Sequence, residues 1–168
     1  ASGTLGGGEI LVGGGWQGLN PNIITSQFTY IAATAQLFAN ADLRGNGGLV
    51  VVWADDTARI YGRIAARGGV LGGDGGSIET SGKRFLEVSR VADASAPMGR
   101  GGQWLLDPTN ITISSAADNL IADTDAGADF LYEPSGTPSR IAVATIVAAL
   151  EAGVNVTVTT SGNNGENG

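Results

Sequence analysis

The 168-residue chain has no cysteine and no histidine. It therefore has no disulfide frame, no thiol chemistry and no zinc site of the usual ligand types. Charged residues are scarce at 15 %, and the 9 Lys and Arg against 16 Asp and Glu leave a net charge of −7. An acidic surface repels phosphate backbones, which argues against nucleic acid as a partner. There is no basic amphipathic helix and no apolar run of roughly 18 residues, so nothing in the sequence reads as coating or spanning a membrane. Proline is limited to 5 residues and glycine follows no three-residue period, which excludes collagen. Disorder is excluded by the low charge together with 42 % hydrophobic residues, enough to bury a core. Lack of cysteine suits a bacterial chain that crosses a periplasm unfolded. The opening Ala1-Ser2-Gly3 carries no signal peptide and reads as a cut inside a larger chain.

What the chain has in excess is glycine, 28 residues, and it is not scattered. Glycine-rich marks at 6–8, 45–48, 72–76 and 99–102 each launch a strand-like run, beginning at Glu9, Leu49, Ser77 and Gln103. The steps between these starts are 40, 28 and 26 residues, and the last two fall in the range of stacked repeat architectures. Between the marks lie short β-branched and aromatic runs bounded by Gly, Asn, Asp or Ser: Ile10–Val12, Tyr30–Ala33, Leu49–Trp53, Arg59–Tyr61, Phe85–Val88 and Ile111–Ile113. Laid together, 49–76 and 77–102 show the same order. A first strand, a polar corner, a second strand and a small-residue third strand (Ile64–Ala66, then Val91–Ala94) are followed by a glycine-rich close.

Such units, stacked, make an all-β, right-handed parallel β-helix, in which one coil cannot bury its inward side chains without neighbours above and below. The expectation is specific: Leu49–Trp53 lies beside Ser77–Thr80 and Gln103–Leu106 on one face. A β-sandwich would use hairpins, and of the Asn-Gly pairs only Asn46-Gly47 stands between well-formed runs. The chain divides into coils over 1–113, an insertion over 114–153 and the start of a further coil over 154–168. Within the insertion a short helix is expected over 139–152. Ser139 would cap it, Ile141, Thr145, Val147 and Leu150 would form its apolar face, and Gly153 would stop it.

The side chains with chemical potential are few. Asp55, Asp56 and Arg59 form the densest polar cluster, and paired carboxylates can divide acid and base roles when their pKa values differ. Acids directly after a strand are by default turn residues. Gly72-Gly73-Asp74-Gly75-Gly76 is similar to a calcium-binding nonapeptide turn. Calcium coordination there needs tandem copies, however, and this chain has one, so a backbone corner is the expected role. No Lys-Ser/Thr pair follows those glycines, so they form no phosphate loop. Trp16, Trp53 and Trp104 each follow a glycine corner; exposed, they would stack on sugars, and buried, they would plug or cover the coils. Thr157, Thr159 and Thr160 occupy one strand and make no ice-binding array. Asn110-Ile111-Thr112 and Asn155-Val156-Thr157 match a glycosylation pattern but lie in strands. From the residues, no catalytic centre, metal site or cofactor is expected, and no binding residue is nominated.

Three stretches, GGDGGSIETSGKRFLEV (72–88), GQWLLDPTNITIS (102–114) and ALEAGVNVTVTTSGNNGENG (149–168), together resemble the repeat region of filamentous-haemagglutinin-like exoproteins. VVVWADD (50–56) followed by GRIAARGG (62–69) fits the same pattern. The resemblance implies a β-helix shaft of a large bacterial adhesin, secreted through an outer-membrane transporter partner by two-partner secretion. It implies placement outside the cell or on its surface, and attachment to host or neighbouring cells, matrix or polysaccharide, as in a biofilm. It implies no enzyme activity. A β-helix polysaccharide lyase or hydrolase, or a self-assembling extracellular fibre or sheath subunit, are the alternatives. Cut through its repeats, the segment is expected to associate end to end.

Overall fold

A computed structural model describes residues 1–115 and 139–160. Its strands are β1 (Glu9–Val12), β2 (Phe28–Ile31), β3 (Gln36–Phe38), β4 (Leu49–Ala54), β5 (Thr57–Ile60), β6 (Arg63–Ala65), β7 (Ser77–Gly82), β8 (Phe85–Val88), β9 (Gln103–Leu106), β10 (Ile111–Ser114), β11 (Ser139–Ala142) and β12 (Asn155–Val158). A single α-helix, α1 (Val143–Glu151), and a short 3-10 turn at Trp16–Gly18 stand among them in the described residues. Every pairing between these strands is parallel, and the first face orders as β1-β4-β7-β9-β12. The register joins Glu9, Leu49, Ser77 and Gln103, the four residues that follow the glycine marks, and ends on Asn155. A second face stacks β2-β5-β8, and a third stacks β3 on β6, extended by the bridge Ala65–Asp93. The chain is thus a parallel β-solenoid.

Alternation along each strand sends every other side chain inward. Ile10, Val50, Ile78, Trp104 and Val156 form one inward column; Val12, Val52, Thr80, Leu106 and Val158 form the next. The second face adds Ile31, Ile60 and Val88, and the third adds Ile64 and Ala92. No turn owns a core. Each column is completed only by its neighbours above and below.

The glycine marks are explained by where the backbone runs. A Cβ on Gly47 would lie 2.0 Å from the Ala66 carbonyl oxygen, and one on Gly75 would lie 1.8 Å from that of Ala94. At the following position, Gly48, Gly76 and Gly102 each approach the preceding turn's glycine carbonyl within 2.0 Å in the same sense. Two columns of glycine therefore let adjacent turns pass at backbone contact on their way into the first face.

The first step is longer than the others because residues 13–27 separate β1 from β2, whereas only Asp55-Asp56 separates β4 from β5 and only Lys83-Arg84 separates β7 from β8. That loop folds over the outer side of the first face. Gly14 and Gly18 lie against the Trp53 ring, each so close that a Cβ would come within 2.6 Å of it.

The helix differs from expectation at its start. Ser139–Ala142 is extended and pairs in parallel with β10. The Ser139 hydroxyl is buried and accepts the Leu86 N–H at 2.9 Å, so it does not cap a helix. A helix of this length is marginal alone, and the preceding residues find a backbone ladder on β10 and the Leu86 N–H of β8 as a side-chain partner instead. Ile141 consequently enters the core from a strand. In α1 the residue turned inward is Ala149, with Ile146 packed beside the core, while Val147 and Leu150 are exposed. Gly153, at φ +82°, does end the helix. Of the insertion 114–153, residues 116–138 lie outside the described residues, as do 161–168 of the last coil.

Candidate functional site

Two-residue corners put side chains from successive turns directly above one another. Asp55-Asp56 and Lys83-Arg84 are such a stack. Lys83 Nζ lies 3.0 Å from Asp55 Oδ1, and the Arg84 guanidinium grips Asp56 through Nε at 2.9 and 3.1 Å and a terminal nitrogen at 2.8 Å. The Thr25 hydroxyl also donates to Asp55, Thr57 donates to Asp56 at 2.7 Å, and the Trp53 indole N–H reaches Asp55 at 3.3 Å. Burial works to raise the Asp55 carboxyl, but the Thr25, Lys83 and Trp53 hydrogen bonds and the Lys83 charge outweigh it and hold the group below its ordinary value. Asp56 is likewise lowered, its partial burial overcome by Arg84 and Thr57. Both acids accept several donors and are held below their ordinary value, which does not suit a general acid. Arg59 does not join them. It faces Glu87 across the second face, Nε to Oε2 3.8 Å, beside Tyr61 and Tyr30, whose rings meet edge-on at 5.6 Å. Burial and the adjacent Glu87 push the Tyr61 phenol far above its usual range.

Asp74 belongs to another ladder. Its backbone N–H donates to Asn46 Oδ1 at 2.8 Å, and its own Oδ1 accepts the Arg100 N–H at 2.8 Å, so each turn's side chain holds the next turn's backbone. That carboxylate serves as a corner clamp.

The three tryptophans divide. Trp104 is fully buried inside the solenoid, its indole N–H donating to Thr80 Oγ1 at 2.9 Å. Trp53 points outward but is sealed under the 13–27 loop, with Lys83 Nζ 5.6 Å from the ring centroid. Trp16 lies half-buried in that loop. They form no exposed row. Thr159 donates to Asp107, Thr157 is exposed on β12, and Asn155 donates to the Gly101 and Gly102 carbonyls. Asn110 sits in the turn before β10 and not in the strand itself.

Sequence reasoning missed Glu79. Its side chain points out from β7, beneath the 13–27 loop, and is fully buried. Oε2 accepts the N–H of Gln17, a residue held at φ +53°, and Oε1 accepts the Ser81 hydroxyl at 2.8 Å. A left-handed non-glycine residue is strained, and here the strain aims a backbone donor at the carboxyl. Burial raises the Glu79 pKa from 4.5 to about 7; the Gln17 and Ser81 hydrogen bonds oppose it, and Asp107 adds to it. The signal available in the sequence was positional: Glu79 occupies the register position of Val51 and Leu105, both apolar.

A pH dependence follows. Above pH 4.5 the unfolded chain loses the Glu79 proton while the folded chain keeps it to about 7, so stability falls over that interval, by about 3 kcal/mol if the whole shift is realised. Asp55 and Asp56, with lowered values, act in the opposite sense: their contribution is present above the ordinary carboxylate range and is lost as pH falls through it. Glu79→Gln keeps an acceptor for Gln17. It should stabilise the protein by roughly 2–3 kcal/mol at pH 8 and hardly at all at pH 4. Urea unfolding at both pH values checks this; an equal effect at both would show that Glu79 carries no shifted proton.

No protein-family profile matches the chain, and no curated protein matches it in sequence.

Proposed function

We propose that the chain is a shaft segment of a large secreted bacterial surface adhesin of the filamentous-haemagglutinin-like kind. It would be exported through an outer-membrane transporter partner and would hold a rigid scaffold for attachment to cells, matrix or polysaccharide. The observation that carries this reading is the continuous parallel register through five strands of the first face, with β1 and β12 at its two edges. A rod built this way lengthens by adding turns, and many weak contacts along it sum to strong attachment by avidity. The chain-specific motifs fit a scaffold. Asp55, Asp56 and Asp74 bind neighbouring turns, and Trp53 and Trp104 fill space. No catalytic residue is assigned, and among the described residues no helix is long and apolar enough to cross a membrane.

Strand edges at the ends of such a stack are templates for pairing. Sedimentation of the purified segment over a range of concentrations is expected to show end-to-end association, limited to short oligomers. Micrometre-long filaments from the pure segment would favour a self-assembling fibre or sheath subunit instead. A strictly monomeric, highly thermostable segment would overturn the shaft-fragment reading, and cleavage of a polysaccharide abolished by Asp55→Asn would overturn the non-catalytic one.

A further inference from the structure

We propose that a cleft on the third face is a binding site for an acidic, carboxylate-bearing polysaccharide. The cleft has a volume of about 440 Å³, and Arg63, Arg67 and Arg90 stand around it with Asp93, over a floor that includes Phe38 and Ala65. All three arginines are exposed. In a protein of net charge −7 with only 9 basic residues, a third of those residues converge on one concavity. Such a local positive field inside an acidic surface selects a short anionic stretch of ligand.

The arginines are held differently. Arg90 Nε donates to the Tyr61 carbonyl at 3.0 Å, which fixes the guanidinium at the cleft edge. Arg67 Nε lies 3.7 Å from Asp93 Oδ2, while the other Asp93 oxygen is fixed by the Ser95 N–H and hydroxyl at 3.0 and 2.6 Å. Asp93 therefore orients one arginine and cannot neutralise all three. Among the described residues, the Arg63 side chain makes no hydrogen bond or ion pair. Arg63 and Arg90 come from neighbouring turns, one register position apart, since the bridge Ala65–Asp93 sets Arg63 beside Val91. Guanidinium forks from two neighbouring turns thus face one cleft, a geometry suited to more than one carboxylate along an extended chain. The half-buried Phe38 ring offers apolar surface for the C–H face of a sugar ring.

The choice of a polysaccharide over other polyanions rests on the extracellular reading given above. Titration calorimetry of the full chain with a short oligogalacturonate at low ionic strength tests the proposal. Its methyl ester and a single-stranded oligonucleotide serve as comparisons. Binding is expected for the free acid, weaker for the ester, and weakened further by salt. Arg63→Gln should lose at least about tenfold in affinity, as for one charge-assisted hydrogen-bonded pair, with the melting temperature unchanged. Arg63→Lys, which keeps the charge and loses the fork, should fall between. Equal binding of acid and ester, tighter binding of the oligonucleotide, no binding, or an affinity indifferent to Arg63 would each overturn the proposal. None of these results bears on the sedimentation behaviour that tests the shaft, so the two readings fail separately.

Discussion

Gly75→Ala is expected to cost roughly 4 kcal/mol or more, enough to unfold much of the segment. The added methyl would stand 1.8 Å from the Ala94 carbonyl oxygen and 2.4 Å from the Gly102 nitrogen. Both are backbone atoms of the stacked turns, and both take part in the bond in which the Gly102 N–H donates to Ala94 at 2.8 Å. No side-chain rotation relieves such a clash; the turns must separate, and with them the β7–β9 pairing that begins two residues later at Ser77 and Gln103. Gly72→Ala is the informative contrast. Gly72 has φ +135° but nothing within 4 Å of its added Cβ, so its cost is confined to backbone strain, about 1–3 kcal/mol. Urea unfolding followed by circular dichroism would rank the two. A Gly75→Ala protein as stable as Gly72→Ala would mean that the turns do not pass at backbone contact.

Trp104→Ala should be of similar severity, roughly 3–5 kcal/mol, because it empties the largest fully buried side chain from the inward column between Ile78 and Val156. The buried Thr80 hydroxyl also loses its donor, a further cost on the order of 1 kcal/mol. Trp104→Phe restores most of the volume and not the donor, so it should recover most of the loss. Trp53→Ala is expected to act elsewhere. It removes the ring on which Gly14 and Gly18 rest, so limited proteolysis should cut within 13–27 first, while the stack persists. Fluorescence-monitored unfolding of the three variants distinguishes these outcomes. A loss of under about 1 kcal/mol for Trp104→Ala would contradict its place in the core.

The parallel stack was legible because one physical constraint repeats. Wherever turns pass at backbone contact a side chain cannot fit, so the glycines at 47–48, 75–76 and 101–102 mark the same structural position at each turn. The strand starts Glu9, Leu49, Ser77 and Gln103 could therefore be read from composition and spacing, and the register joins those residues. The corner role of the 72–76 stretch was legible for a different reason, the absence of the tandem copies that calcium coordination needs. By contrast, Ser139 reads equally as a helix cap or as a strand residue. Its hydroxyl was committed by the Leu86 N–H, a partner 53 residues away that local pattern cannot anticipate.

The sequence alone determined the solenoid class, the first-face register and the absence of thiol and imidazole chemistry, because these depend on residue identity and on periodic backbone sterics. Only the tertiary structure decided which polar groups meet. Arg59 stands three residues beyond Asp56 in sequence, yet its partner is Glu87, one turn later, because alternation turns it to the face of the sheet while the acids stay at the corner. Glu79 is buried only because the 13–27 loop folds over it. The Arg63, Arg67 and Arg90 cleft exists only because stacking brings successive turns side by side. Proximity across turns is set by packing distance and not by separation along the chain.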